Sequence, residues 1–100
     1  MRFFRLAPQA SLDLEGIWDY IGLENQNPNA AFRQVEMLYE KFNLLSSHPL
    51  LGESRGDLGI NLRSFVAGNY VIVYRPGQNE IEITRVIHAA RDIRSMFKTS

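Results

Sequence analysis

No cysteine occurs among the 100 residues, which excludes a disulfide framework and any thiolate metal site. Lysine is nearly absent as well, since Lys41 and Lys98 are the only two of the eleven basic residues that are not arginine. There is no excess of charge of either sign: 11 Lys and Arg are matched by 11 Asp and Glu. A protein that neutralises many phosphates is normally strongly basic, so direct nucleic-acid binding is not expected. No apolar run approaches the ~18 residues of a membrane span. Arg2 and Arg5 flank only Phe3 and Phe4, so the apolar core of a signal peptide is missing. These absences lead to the expectation of a small cytoplasmic protein. The two histidines are far apart and form no metal-ligand pair. Gly52, Gly56 and Gly59 have neither the spacing nor the strand-to-helix context of a phosphate loop. No metal and no cofactor is expected.

What is present is an ordinary globular composition, 45% hydrophobic and 22% charged, and a length that suits one domain over residues 1–100. Phe3 to Leu6 is a short strand candidate. Pro8 suits the first turn of a helix, where its missing N–H costs nothing. Ala10, Leu14, Ile17, Trp18 and Ile21 then lie on one helical stripe. Asn25-Gln26-Asn27 breaks the pattern, and Asn27-Pro28 restarts it as N-cap and first helical residue. The second helix is expected to run to about Ser46, with Ala31, Val35, Leu38, Phe42 and Leu45 as its stripe, widened by Phe32 and Tyr39. His48-Pro49 stops it. Two stripes joined by a short polar break make an antiparallel helical hairpin, which must cover something apolar. Residues 50–59 then read as a glycine-rich, mobile surface connection with leucines able to tuck it against the core.

The apolar surface is supplied by the last two-fifths of the chain. Leu62 to Ala67, Tyr70 to Arg75 and Glu80 to Ile87 are strand-like runs. Gly68-Asn69 and Pro76-Gly77-Gln78-Asn79 provide the turns between them, so the runs form an antiparallel meander. Tyr70 to Arg75 is apolar on both faces and is expected to be the central strand. Arg91 to Phe97 places Ile93, Met96 and Phe97 at helical spacing, a short terminal helix. The class is α+β: an N-terminal strand, a helical hairpin packed on a mostly antiparallel sheet of three to four strands, and a C-terminal helix.

This order resembles the ParE/RelE superfamily of bacterial toxins over essentially the whole chain. The specific part is Leu62-Arg63-Ser64-Phe65 with Gly68-Asn69-Tyr70-Val71-Ile72-Val73-Tyr74-Arg75-Pro76, followed by Ile81 to Ile93 with Arg85, His88 and Arg91. Ala7-Pro8-Gln9-Ala10, Ile17-Trp18-Asp19-Tyr20-Ile21 and His48-Pro49-Leu50-Leu51-Gly52 are similar to the ParE branch in particular. The resemblance implies a plasmid-stabilising type II toxin that acts on DNA gyrase and is neutralised by a ParD-like antitoxin. RelE-type members instead cut mRNA on the ribosome, and a protein that has lost toxicity and serves as a regulatory partner is a third reading.

Each decorated residue has a plain reading beside the functional one. Arg63, Arg75 and Arg85 lie on strands, where cross-strand ion pairs with Glu80 or Glu82 are the ordinary role. As a shared patch they would recognise carboxylates bidentately, so Arg63, Tyr74, Arg75, Arg85 and Arg91 are the candidate contacts for an acidic antitoxin segment. His88 reads as a structural hydrogen-bonding residue; in the nuclease alternative it would be the acid–base group, with Arg63 and Arg85 stabilising the phosphorane. Arginine stays protonated and makes a poor general base, which together with the neutral charge favours the non-catalytic reading. Ile93, Arg94, Met96 and Phe97 are the candidate target contacts, or else close one end of the core.

Overall fold

In the computed structural model, which describes residues 3–97, the chain begins with strand β1, Phe3–Leu6, followed by helix α1, Pro8–Trp18. The helix continues as a π-helical turn, Asp19–Glu24, and α2 spans Pro28–Ser47. Then come β2, Glu53–Ser54, β3, Arg63–Ala67, β4, Tyr70–Pro76, β5, Glu80–His88, and α3, Ile93–Met96. The sheet has five strands in the order β1-β5-β4-β3-β2. β1 runs parallel to β5 and all other pairs are antiparallel. The α+β class and the meander are as expected, with β4 central. The strand count is higher than the expected three to four because part of the glycine-rich loop pairs as β2, with Glu53 opposite Ser64.

Local chemistry explains the helices. Pro8 opens α1, and Ala10, Leu14 and Ile17 are its buried residues. The side chain of Asn27 accepts from the Ala30 N–H at 3.2 Å, capping α2 just ahead of Pro28. Gly22 is buried where the π-helical turn meets α2, and a Cβ there would come into van der Waals contact with the Ala31 methyl at 3.4 Å. Trp18, Phe32 and Tyr39, which the stripes include, are instead exposed at 38%, 58% and 38%. They leave an apolar outer surface on the hairpin.

Two layers of core lie on opposite faces of the sheet. The larger joins Leu14, Ile17, Leu38, Phe42 and Leu45 of the helices to Tyr70, Ile72, Tyr74, Ile81, Ile83 and Val86. The smaller joins Leu58 and Leu62 to Val71 and Val73, with Ile93 and Phe97 packed on it. β5 carries a bulge: Val73 pairs with Arg85 but Tyr74 pairs with Ile83, so Thr84 is an extra residue. The bulge reverses the alternation and places Ile81, Ile83 and Val86 all in the helix-side core. α3 is shorter than the expected Arg91 to Phe97. It starts at Ile93 because Asp92 caps it, accepting from the Ser95 N–H at 3.4 Å. Lys98 lies outside the described residues. No helix among the described residues is long and apolar enough to cross a membrane.

Candidate functional site

A cleft of about 610 Å³ opens between α1 with its π turn and the end of β5. Leu12, Ile17, Tyr20, Tyr70 and Met96 form apolar walls, while His88 and Arg91 stand among the polar lining. Burial raises the Tyr70 phenol above its ordinary value, and nearby Tyr20 adds to the shift. His88 itself is exposed, its ring edge-on to Tyr70 with centroids 5.3 Å apart. Its Nδ1 accepts from the Ala90 N–H at 3.1 Å. That is the structural hydrogen bond expected of it, made within the turn that leads to α3.

One side of the cleft is a clamp. β1 ends at Leu6, opposite Ile83, so among the described residues the edge of β5 beyond that point has no strand partner. Asp13 of α1 takes over: its carboxylate accepts from the Val86 N–H at 2.9 Å and from Arg85 Nε and Nη2 at 2.8 and 3.0 Å. Both side chains are largely buried, at 11% and 17% exposure. Nothing in the sequence signals this role for Asp13, an acidic residue beside an apolar helix stripe.

The remaining strand arginines are also held internally, each elsewhere. Arg63 faces the helix side opposite Tyr74 and donates to the Gly52 carbonyl at 3.0 Å and the Leu50 carbonyl at 3.3 Å. The buried Tyr74 hydroxyl accepts from the Gly52 N–H and donates to the Pro49 carbonyl, both at 2.8 Å. The loop expected to be a free surface connection is therefore latched, with Leu50 and Leu51 turned outward at 72% and 51% exposure. Leu58 is the loop leucine that enters a core. Arg75 is on the other face, bonded to the Ile60 carbonyl and to Glu82. Arg63, Arg75 and Arg85 do not share one anion-binding patch, because alternation along β3 and β4 and the bulge in β5 send them to different places. Arg91 alone of the candidate antitoxin contacts has no side-chain partner among the described residues. Of the candidate target contacts, Ile93 and Phe97 are packed on the smaller core, Met96 lines the cleft and Arg94 is exposed.

Beside α3, Asp57 accepts from Arg55 at 2.9 Å and from Arg94 at 3.3 Å. The Arg55 hydrogen bond pulls the Asp57 carboxyl from 3.8 to about 2. A depressed native value means that the pair's stabilisation is complete above the unfolded value and is lost as pH falls through the native one. In an NMR acid titration Asp57 is expected to show a midpoint of about 2, moving up toward ordinary carboxylates in Arg55→Ala. A midpoint near that of a free carboxylate in the wild-type protein would deny the pair. No group of three or more metal-ligating side chains is found among the described residues.

A solved chain described as part of the chromosomal ParDE TA system from P. aeruginosa shares this fold, with a TM-score of 0.70, 23% identity, and coverage of 88% of this chain and 95% of that one. That likeness is one of fold, and the sequence carries it further. The family model for the ParE toxin of type II toxin–antitoxin systems matches residues 4–93, and the chain belongs to that family. Toxin ParE1 of Caulobacter vibrioides is 28% identical over 95 residues, covering 95% of this chain and 97% of that protein. Toxin RelE3 of the same organism is 30% identical over 93 residues, covering 89% and 96%.

Proposed function

We propose that this ParE-family chain inhibits DNA gyrase, in the bacterial cytoplasm where gyrase works, and is neutralised when an acidic, amphipathic segment of a cognate ParD-like antitoxin docks on it. The observation that carries the non-catalytic reading is the internal employment of Arg63 and Arg85. In a nuclease they would face the scissile phosphate, yet here carbonyls occupy one and Asp13 the other. What stays open is a cleft with apolar walls and Arg91 at its polar lining. That chemistry suits an apolar side chain and a carboxylate on one short segment, which orders as it binds. Among the candidate target contacts, exposed Arg94 and cleft-lining Met96 remain available. Deleting residues 94–100 would also remove Phe97 from the smaller core. Arg94→Ala and Met96→Ala therefore probe the target contact better than truncation.

The similarity to a protein named RelE3 favours the runner-up, a ribosome-dependent mRNA endonuclease. Purified protein added separately to a gyrase supercoiling reaction and to mRNA-programmed ribosomes separates the two. Inhibited supercoiling and intact mRNA are expected. His88→Ala should inhibit gyrase as the wild type does and cost about 1 kcal/mol or less, since the hydrogen bond lost is exposed. Cleavage of ribosome-bound mRNA that disappears in His88→Ala would establish the nuclease instead.

A further inference from the structure

Charge in this neutral chain is segregated. Residues 8–47, the helical hairpin, hold six acidic and two basic side chains, whereas residues 85–97 hold Arg85, Arg91 and Arg94 against Asp92 alone. Next to the cleft, and separated from it by Arg91, lies a second hollow of about 400 Å³ lined by Arg55, Arg91, Asp92, Ile93, Arg94 and Ser95. Its carboxylates are already engaged. Asp92 caps α3, and Asp57, just outside the lining, holds Arg55 through both carboxylate oxygens and Arg94 through Nε. Arg55 is further fixed by a bond from Nη1 to the Ser64 hydroxyl at 3.3 Å. Among the described residues, the Arg91 guanidinium and both terminal nitrogens of Arg94 donate to nothing.

We propose that this arginine hollow binds one backbone phosphate of a nucleic acid. Three guanidiniums, Arg55, Arg91 and Arg94, are set against Asp57 and Asp92, and Glu53 also acts on Arg55, so the positive charge left over lies at Arg91 and Arg94, where one phosphodiester would meet it. The geometry of the donors favours the same ligand. A planar carboxylate is satisfied by one guanidinium, the arrangement Arg55 already makes with Asp57. Two guanidiniums with free N–H groups match the two non-bridging oxygens of a phosphodiester. One such contact is compatible with zero net charge, because it requires a local field rather than a basic protein. The neutral composition, which argues against a many-phosphate grip, leaves a one-phosphate contact open. Arg91 borders both hollows, so a carboxylate placed on it by a docked antitoxin would exclude the phosphate. This inference goes beyond the gyrase reading, and its test uses no gyrase, so either can fail without the other.

The test is fluorescence anisotropy of a labelled DNA duplex of about 20 base pairs titrated with the full chain at about 50 mM salt. Wild-type binding is expected at the weak end of non-specific binding, with a Kd on the order of 10⁻⁴ M, without sequence preference. Arg91→Ala/Arg94→Ala should weaken it by at least about tenfold and reduce the slope of log K against log salt by about one, the value for a single phosphate. The Arg91→Lys/Arg94→Lys protein should bind more tightly than the double alanine variant and less tightly than the wild type, because it keeps the charges but loses the planar guanidinium donors. Arg5→Ala, which breaks a surface pair on β1, should bind as the wild type does. Circular dichroism melting checks that each variant folds. If the double variant does not, Arg91→Ala alone decides, since that side chain bonds nothing among the described residues. Absence of wild-type binding, equal binding by the alanine variants, or tighter capture of a short polyglutamate peptide by the same two arginines would each overturn the proposal.

Discussion

Gly52→Ala is expected to cost about 3 kcal/mol, through overpacking and the loss of buried hydrogen bonds together. A Cβ at this position would stand 2.6 Å from the Tyr74 hydroxyl oxygen, 2.8 Å from the Ser64 carbonyl oxygen and 2.8 Å from Tyr74 Cε1. None of these can yield cheaply. Tyr74 is fully buried in the helix-side core, and Ser64 lies in the pairing between β3 and its two neighbours. The Tyr74 hydroxyl also holds Gly52 and Pro49 at once, so pushing the ring aside orphans an N–H and a carbonyl. For a domain of this size the melting temperature should fall by roughly 12–20 °C. Tyr74→Phe keeps the volume and loses only the two hydrogen bonds, so about 2 kcal/mol is expected. Thermal and urea unfolding measure both. A Gly52→Ala protein as stable as the wild type would mean that the loop after α2 is not latched.

Asp13→Ala should lower stability by a similar amount, about 3–4 kcal/mol, because it strips a largely buried guanidinium of its partner and leaves a strand N–H unpaired. Among the described residues, the Asp13 carboxylate alone accepts from the Val86 N–H beyond the end of β1. Arg85→Ala should cost less, about 2 kcal/mol, since Asp13 keeps the backbone bond and has some access to water. Urea unfolding of the two single variants and the double variant completes a mutant cycle. A coupling of about 1.5 kcal/mol or more is expected for groups that share two hydrogen bonds. Additive losses would show that the clamp is not a unit. A practical consequence concerns Arg63→Ala/Arg85→Ala, the natural variant for testing antitoxin recognition. Both side chains support the fold, so a loss of binding counts only after correction for unfolded protein.

Much of the architecture is legible in the sequence because it depends on local rules. The helical hairpin follows from stripes at helical spacing, the Asn27-Pro28 start and the His48-Pro49 stop. The meander follows from strand-like runs separated by Gly68-Asn69 and by the Pro76-Gly77 turn, and the α+β class from the alternative of leaving both apolar surfaces in water. The placement of His88 at a strand end and its modest hydrogen-bonding role follow the same way. β2 was not legible: a two-residue strand has no periodicity, and Glu53 pairs only because the Tyr74 and Arg63 latch brings its loop alongside β3.

Composition and local pattern by themselves determined that this is a neutral, cysteine-free α+β chain with a helical hairpin over a meander, and they carried the resemblance to its family. Only the tertiary structure decided what the arginines do. A side chain's partner depends on sheet register, on the face it occupies and on what covers the strand edge, and all three are set by contacts distant in sequence. Arg85 and Asp13 are 72 residues apart. They meet because β1 stops short on β5 and α1 crosses the uncovered edge, while the extra residue at Thr84 shifts the alternation that a straight strand would keep. The same physics leaves Arg91 and most of Arg94 without partners among the described residues, where α3 is capped rather than packed on all sides.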